Sequence, residues 1–212
     1  MFDLYVVTDA DLSRGRTDAE VARLAYEGGA DAVQLRMKHT DGGEMLCQAK
    51  QIAAMAAEMD RFFFVNDRVD IAMASGADGV HLGQSDMPVE EARRLMGDDA
   101  IIGISVQTVE QAVKAVEGGA DYLGVGSIFR TSTKPDAVQG LGLGAIFEIR
   151  MAVDVPVVAI GGINRGNIQD VIRAGADSAA VVSAVVSQDD PRRAAHELKD
   201  LILKVRPIVP EQ

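Results

Sequence analysis

The tripeptide Gly-Ala-Asp occurs four times in this chain, at Gly29-Ala30-Asp31, Gly76-Ala77-Asp78, Gly119-Ala120-Asp121 and Gly175-Ala176-Asp177. Each copy ends a helical pattern and stands just before a short apolar run. The glycine suits the left-handed residue with which helices end, and the alanine is small enough for the chain to turn in beneath a sheet. Successive copies lie 47, 43 and 56 residues apart. That spacing fits two strand–helix units per repeat and is too irregular for a solenoid.

The stretches between copies supply the missing units. Apolar runs bounded by turn residues predict strands at Asp3–Asp9, Ala32–Lys38, Phe62–Val65, Val80–Leu82, Ile101–Val106, Tyr122–Ile128, Pro156–Ile160 and Ser178–Val182. Helical patterns alternate with them, opening at Thr17-Asp18, Gly43, after Arg68, at Pro88, Thr108, Gly144, Asn167 and Pro191. Eight such units in 212 residues predict one (β/α)8 barrel filling residues 1–212 as a single domain. A doubly wound open sheet is the competing layout, but no Gly-x-Gly-x-x-Gly follows the first strand.

Composition narrows the function classes. The net charge is −11, which argues against a nucleic-acid partner, because the phosphate backbone needs a basic face. An anionic small molecule would instead need a local cluster drawn from the few cations. The single cysteine, Cys47, excludes an intrachain disulfide and fits a reducing compartment; within its helical pattern it reads as a packing residue. Neither a secretory leader nor an apolar run long enough to span a membrane is present, so a soluble, cytoplasmic protein is expected.

In a barrel of this kind the chemistry sits at the carboxyl ends of the strands. There the third and fourth strands give way to Asn66-Asp67 and to Gln84-Ser85-Asp86. If the strands are parallel neighbours, Asp67 and Asp86 converge as ligands for a hard cation such as magnesium. Alternatively each is a helix N-cap, since each precedes a helical pattern. On the second strand Gln34, Arg36 and Lys38 alternate with apolar residues, which places them on one face climbing toward the site. The fifth strand contributes Ser105. After the sixth comes a loop of about fifteen residues holding Thr131, Ser132, Thr133 and Lys134, suited to an anion and to closing over it; a plain solvated lid gives the same composition. Gly161-Gly162 and the amides near Ser183 end strands seven and eight, where this fold commonly cradles phosphate. Arg68, Arg130 and Arg165 are further cations expected at this end. Together these residues suggest two anionic ligands, a pyrophosphate near strands two to five and a monophosphate near seven and eight. His39 and His196 read as surface residues and His81 as a layer residue inside the barrel. No Ser/His/Asp or Cys/His arrangement offers a nucleophile or a zinc site.

With these residues in place, the chain resembles the thiamine phosphate synthase family from Leu4 to about Val186. The resemblance rests on Gln-Leu-Arg-x-Lys at Gln34–Lys38, Val-Asn-Asp at Val65–Asp67, Gly-Val-His-Leu-Gly-Gln-Ser-Asp-Met at Gly79–Met87, Gly-Ile-Ser at Gly103–Ser105 and Thr-Ser-Thr-Lys at Thr131–Lys134, followed by Gly-Gly-Ile and Val-Ser-Ala. It implies a transferase that joins hydroxymethylpyrimidine pyrophosphate to thiazole phosphate by dissociative loss of pyrophosphate. Gln34, Arg36, Lys38, Asn66, Ser105 and Lys134 would hold the first substrate, with Arg36, Lys38, Ser105 and Lys134 serving catalysis and Asp67 and Asp86 binding magnesium. Thr131, Ser132, Thr133, Gly162, Val182 and Ser183 would hold the second. Met37 replaces an acidic residue more often expected there, but its side chain should face away from the site. A thiazole tautomerase-like relative or a non-catalytic sensor of thiazole phosphate would keep the barrel without needing the pyrophosphate site.

Overall fold

The computed structural model describes residues 2–131 and 140–206. Eight parallel strands close into a barrel in sequence order, β1 pairing with both β2 and β8. They are β1 (Leu4–Val7), β2 (Ala32–Leu35), β3 (Phe62–Asn66), β4 (Gly79–Leu82), β5 (Ile101–Val106), β6 (Tyr122–Gly126), β7 (Val157–Ile160) and β8 (Ser178–Val181). Helices α1 (Asp18–Glu27), α2 (Gly42–Met59), α3 (Val69–Ser75), α4 (Val89–Met96), α5 (Val109–Glu117), α6 (Leu143–Ala152) and α7 (Ile168–Arg173) separate them, and α8 (Ser183–Val186) and α9 (Pro191–Leu203) follow β8. The expected (β/α)8 architecture is what the chain adopts. Both faces of the strands are covered, which is why they read as near-continuous apolar runs rather than alternating ones.

The two faces have different fillings. Outward residues such as Val33, Phe63, Ile102 and Val125 pack with the helices in the larger core. Inside, Phe2, Tyr5, Phe64 and Tyr122 fill the lower barrel, their rings meeting edge to face at centroid distances of 5.2–5.7 Å. Such pairs contribute ~0.5–1.5 kcal/mol each beyond the area they bury. The aromatic plug closes the bottom, and polar and apolar side chains share the lining of the cavity above it.

The repeat acquires a physical meaning here. Gly29, Gly76, Gly119 and Gly175 all have φ between 74° and 105°, where a side chain would be strained. Each following aspartate then clasps the strand before it. The Asp31 amide donates to the Leu4 carbonyl (3.0 Å) while its carboxylate accepts from the Leu4 amide (3.0 Å). Asp78 treats Phe63 in the same way, as do Asp121 with Ile102 and Asp177 with Val157, every bond lying between 2.7 and 3.0 Å. One copy therefore joins each odd strand to the even strand after it. Two of these carboxylates also hold cations closely, Asp31 through Lys199 at 2.6 Å and Asp121 through Arg93 at 2.5 Å.

Two expectations are corrected. The second strand ends at Leu35 rather than Lys38, so Arg36 and Lys38 stand on the loop beyond it and owe their direction to that loop. Cys47 is exposed on α2, its sulfur accepting from Gln51 at 3.6 Å, and is not a packing residue.

Candidate active site

A cavity of about 550 Å³ opens at the carboxyl ends of the strands. All the expected site residues that fall among the described residues line it: Gln34, Arg36, Lys38, Asn66, Asp67, Asp86, Ser105, Thr131, Gly162, Val182 and Ser183. Ser132, Thr133 and Lys134 lie outside the described residues. Closure of the barrel sets β2 to β5 along one arc of the mouth and β7 and β8 along another.

The cations differ in how they are held. Arg36 donates through Nη1 to Asp9 Oδ2 at 2.8 Å, and its backbone amide donates to Thr8 Oγ1 at 3.2 Å. Both members of that pair are largely buried, so the guanidinium is fixed before any ligand arrives. Lys38 is more exposed, its Nζ 3.7 Å from Asp67 Oδ2. The other three cations expected here are turned elsewhere or sit off the wall. Arg68 forks onto Asp70 at 2.6 and 2.8 Å, Arg165 pairs with Glu197 at 2.8 Å, and Arg130 is exposed; none of the three lines the cavity.

Hydrogen bonding bears on the helix-cap reading of Asp67 and Asp86. Helix α3 is capped at Arg68 and α4 at Pro88, neither with a side-chain cap bond. Asp67 instead has φ 64°, a left-handed conformation that a non-glycine residue adopts only when its surroundings dictate it. Its amide donates to the His81 carbonyl at 2.9 Å, in a tight turn at the end of β3. Asp86 Oδ2 accepts from the Gly83 amide at 2.6 Å, folding the loop after β4 back so that Asp86 lines the cavity. Among the described residues no cluster of three or more His, Cys, Asp or Glu forms a complete protein cage for a metal. Two carboxylates with room beside them match a hard cation that takes its other oxygens from phosphate and water.

Sequence reasoning missed the polar floor of the cavity. Gln34 Nε2 donates to Tyr5 Oη at 2.8 Å, and Tyr5 Oη lies 3.1 Å from Tyr122 Oη. Tyr122 Oη is 2.9 Å from His81 Nδ1, and His81 Nε2 is 2.9 Å from Ser105 Oγ. His81 is therefore part of the cavity wall as well as of a barrel layer. Burial raises the pKa of Tyr5 and of Tyr122 far above the usual phenol range, so both keep their protons. Two glycines make space for the chain: a Cβ on Gly103 would collide with the Tyr122 ring, and one on Gly124 would come within 2.8 Å of His81 Cε1. The signal available beforehand was His81 within a run that otherwise ends in site residues.

Beside Thr8 and Asp9, Asp18 is buried, its Oδ1 lacking any hydrogen-bond partner among the described residues. Burial raises its carboxyl above the ordinary range, helped by the nearby charges of Asp9 and Glu44 and opposed by a hydrogen bond to Thr8. No helix among the described residues is long and apolar enough to cross a membrane.

Comparison with known proteins agrees with the residues. Residues 4–185 match the family model described as thiamine monophosphate synthase. The chain is 51% identical over 201 residues, 95% of both sequences, to the thiamine-phosphate synthase of Methanoculleus marisnigri. It is 52% identical over 199 residues to that of Chloroflexus aurantiacus, covering 94% of this chain and 92% of the other. Among solved structures, thiamine phosphate pyrophosphorylase from Pyrococcus furiosus superposes with a TM-score of 0.88 at 43% identity, covering 96% of each chain.

Proposed function

The chain belongs to the thiamine monophosphate synthase family, and on that premise we propose how its barrel mouth joins hydroxymethylpyrimidine pyrophosphate to thiazole phosphate, giving thiamine phosphate and pyrophosphate. One observation carries the assignment of roles. Arg36, Lys38, Asp67 and Asp86 meet on one arc of a single cavity, while Gly162, Val182 and Ser183 border it on another. Substrates of one phosphoryl group and of two have separate places to bind.

The pyrimidine substrate lies over Gln34, Asn66 and Ser105, its pyrophosphate directed at Arg36 and Lys38. Asp67 and Asp86 would hold magnesium against that pyrophosphate, and the ion would supply Lewis-acid neutralisation of the leaving group's charge. Arg36, already oriented by Asp9, needs no reorganisation as negative charge develops on the departing oxygens. Lys38 faces Asp67 across 3.7 Å, close enough to turn from that carboxylate toward a phosphate. From the sequence motif, Lys134 is assigned to the pyrophosphate and the hydroxyls of Ser132 and Thr133 to the thiazole phosphate. Thr131, Gly162, Val182 and Ser183 hold the thiazole phosphate so that the thiazole nitrogen faces the pyrimidine methylene. Loss of pyrophosphate leaves a pyrimidine cation stabilised by its own ring, and the thiazole nitrogen then attacks it. We place this chemistry in the cytoplasm, on the support of a lone unpaired cysteine.

The test is release of pyrophosphate with both substrates and magnesium supplied, compared between the wild type and Asp67→Asn. Release by the wild type that collapses in the variant is expected. Equal rates in the two would remove Asp67 from its assigned role. Tight binding of thiazole phosphate by a wild type that releases no pyrophosphate would replace the synthase with a sensor.

A further inference from the structure

We propose that His81 is a positioning residue that aims the Ser105 hydroxyl proton into the cavity, in a sense set by the chain of hydrogen bonds through Tyr122, Tyr5 and Gln34. The proposal rests on Ser105 being a contact to the pyrimidine substrate. It adds why that hydroxyl acts as a donor there, and which residues of the cavity floor make it one.

The sense follows from counting protons. Gln34 donates an amide N–H to Tyr5 Oη. Having accepted that bond, the buried Tyr5 hydroxyl has one proton to give, and the Tyr122 oxygen at 3.1 Å is the remaining partner among the described residues. Tyr122 must then direct its own proton to His81 Nδ1. A neutral imidazole that accepts at Nδ1 carries its proton on Nε2 and donates it to Ser105 Oγ. Ser105 has now accepted from within the protein, and its O–H is free to turn toward the ligand. The reverse sense would leave the O–H of Tyr5, a residue 1% exposed, with no acceptor among the described residues unless the Gln34 amide were turned over. Geometry holds the relay in place. Gly103 and Gly124 leave room for the Tyr122 and His81 rings and no more, and Gln84 Nε2 anchors the Ser105 carbonyl at 2.8 Å.

Two measurements test this, and the first needs no substrate, so it fails or succeeds apart from the reaction assigned. In a nitrogen-15 histidine spectrum of the free protein at neutral pH, the resonances missing from His81→Gln should be those of a neutral ring protonated on Nε2. Tyr122→Phe, which removes one oxygen and keeps the ring, should shift the population toward the Nδ1-protonated form. A wild-type ring protonated on Nδ1, or a spectrum unchanged in Tyr122→Phe, overturns the proposal. The second measurement is kinetic. The Gln side-chain nitrogen reaches where Nε2 was, whereas that of Asn reaches only the place of Nδ1. His81→Gln should therefore keep kcat within about threefold of wild type, while His81→Asn should lose about thirtyfold, matching Ser105→Ala, as expected for one hydrogen bond to a reacting ligand. Combining His81→Asn with Ser105→Ala should cost no more than Ser105→Ala alone. Equal losses in the Gln and Asn variants, or additive losses in the double variant, would leave His81 as packing only.

Discussion

Six aspartates divide between the two ends of this barrel, and their surroundings differ more than their chemistry does. At the bottom, Asp31, Asp78, Asp121 and Asp177 each accept from the backbone amide of the strand before them, and all but Asp78 also face a Lys or Arg within 3.6 Å. At the mouth, Asp67 faces Lys38 across 3.7 Å, and Asp86 ties one oxygen to its own loop. A carboxylate whose oxygens are met by fixed protein donors contributes to stability. One that lines the cavity beside a lysine is the kind proposed above to meet a ligand. On the roles proposed above, the same residue serves opposite purposes at the two ends of the barrel, and its hydrogen-bond partners mark which.

The largest effect expected from this comparison is on activity. Asp67→Asn should lower the rate of pyrophosphate release by about a thousandfold, the scale of removing a charge matched to a developing leaving group. Its thermal midpoint should stay near that of the wild type, because Asn keeps the size of the side chain and the backbone bond from residue 67 to the His81 carbonyl. Chelating magnesium should slow the wild type steeply and the variant hardly at all. A variant that unfolds early while its surviving fraction turns over normally would reverse the roles given to the two ends.

Asp31→Ala should do the opposite. It strips an acceptor from the Asp3 and Leu4 amides and a partner from Lys199, which clamps α9 to the barrel bottom. About 2–3 kcal/mol of unfolding free energy should disappear in urea titration, while kcat at low temperature is preserved. An intact midpoint would mean that the clasp is ornamental and that the glycine alone explains the repeat.

Acid sharpens the same contrast. Burial raises the Asp31 carboxyl, but the Lys199 ammonium and the two strand amides together outweigh burial and leave it below the ordinary 3.8. A carboxyl depressed in the folded state stabilises the fold above its unfolded value, and that contribution is lost as pH falls through the folded value. The stability gap between wild type and Asp31→Ala should thus stay constant down to about pH 4 and close only below 3.8. A gap that closes near neutral pH would point to some other group.

How much of this could be read from residues alone follows the same division. The repeat glycines announced the period, and the mouth residues were recognisable as soon as a barrel gave strand ends a direction. The clasps were hidden because the partner of each aspartate lies 15 to 27 residues upstream, across a helix, and is a backbone amide with no identity of its own. Tyr5 and Tyr122 were hidden differently. Each stands in an apolar run that reads as core, and only barrel closure brings hydroxyls 117 residues apart within 3.1 Å. Arg36 and Lys38 were found for a partly mistaken reason, since strand alternation stops at Leu35 and the loop beyond does the aiming.

Asp18 tests whether the division is one of place or of partners, because it lies on the mouth side, at the start of α1, and is more deeply buried than any of the clasps below. Its buried Oδ1 has no hydrogen-bond partner among the described residues, and burial together with Asp9 and Glu44 raises its carboxyl. A carboxyl raised in the folded state destabilises the fold above the folded value, and that cost fades as pH falls and the group takes up its proton. Asp18→Asn should therefore stabilise the protein at neutral pH by about 1 kcal/mol, the smallest effect in the set, with the gain shrinking on acidification. Arg36 keeps Asp9 in the variant, so pyrophosphate release should change little. If Asp18→Asn instead destabilises at neutral pH and slows release, then Asp18 orients the Arg36–Asp9 pair through Thr8, and the boundary between the stabilising and the ligand-facing carboxylates runs deeper into the barrel than the mouth.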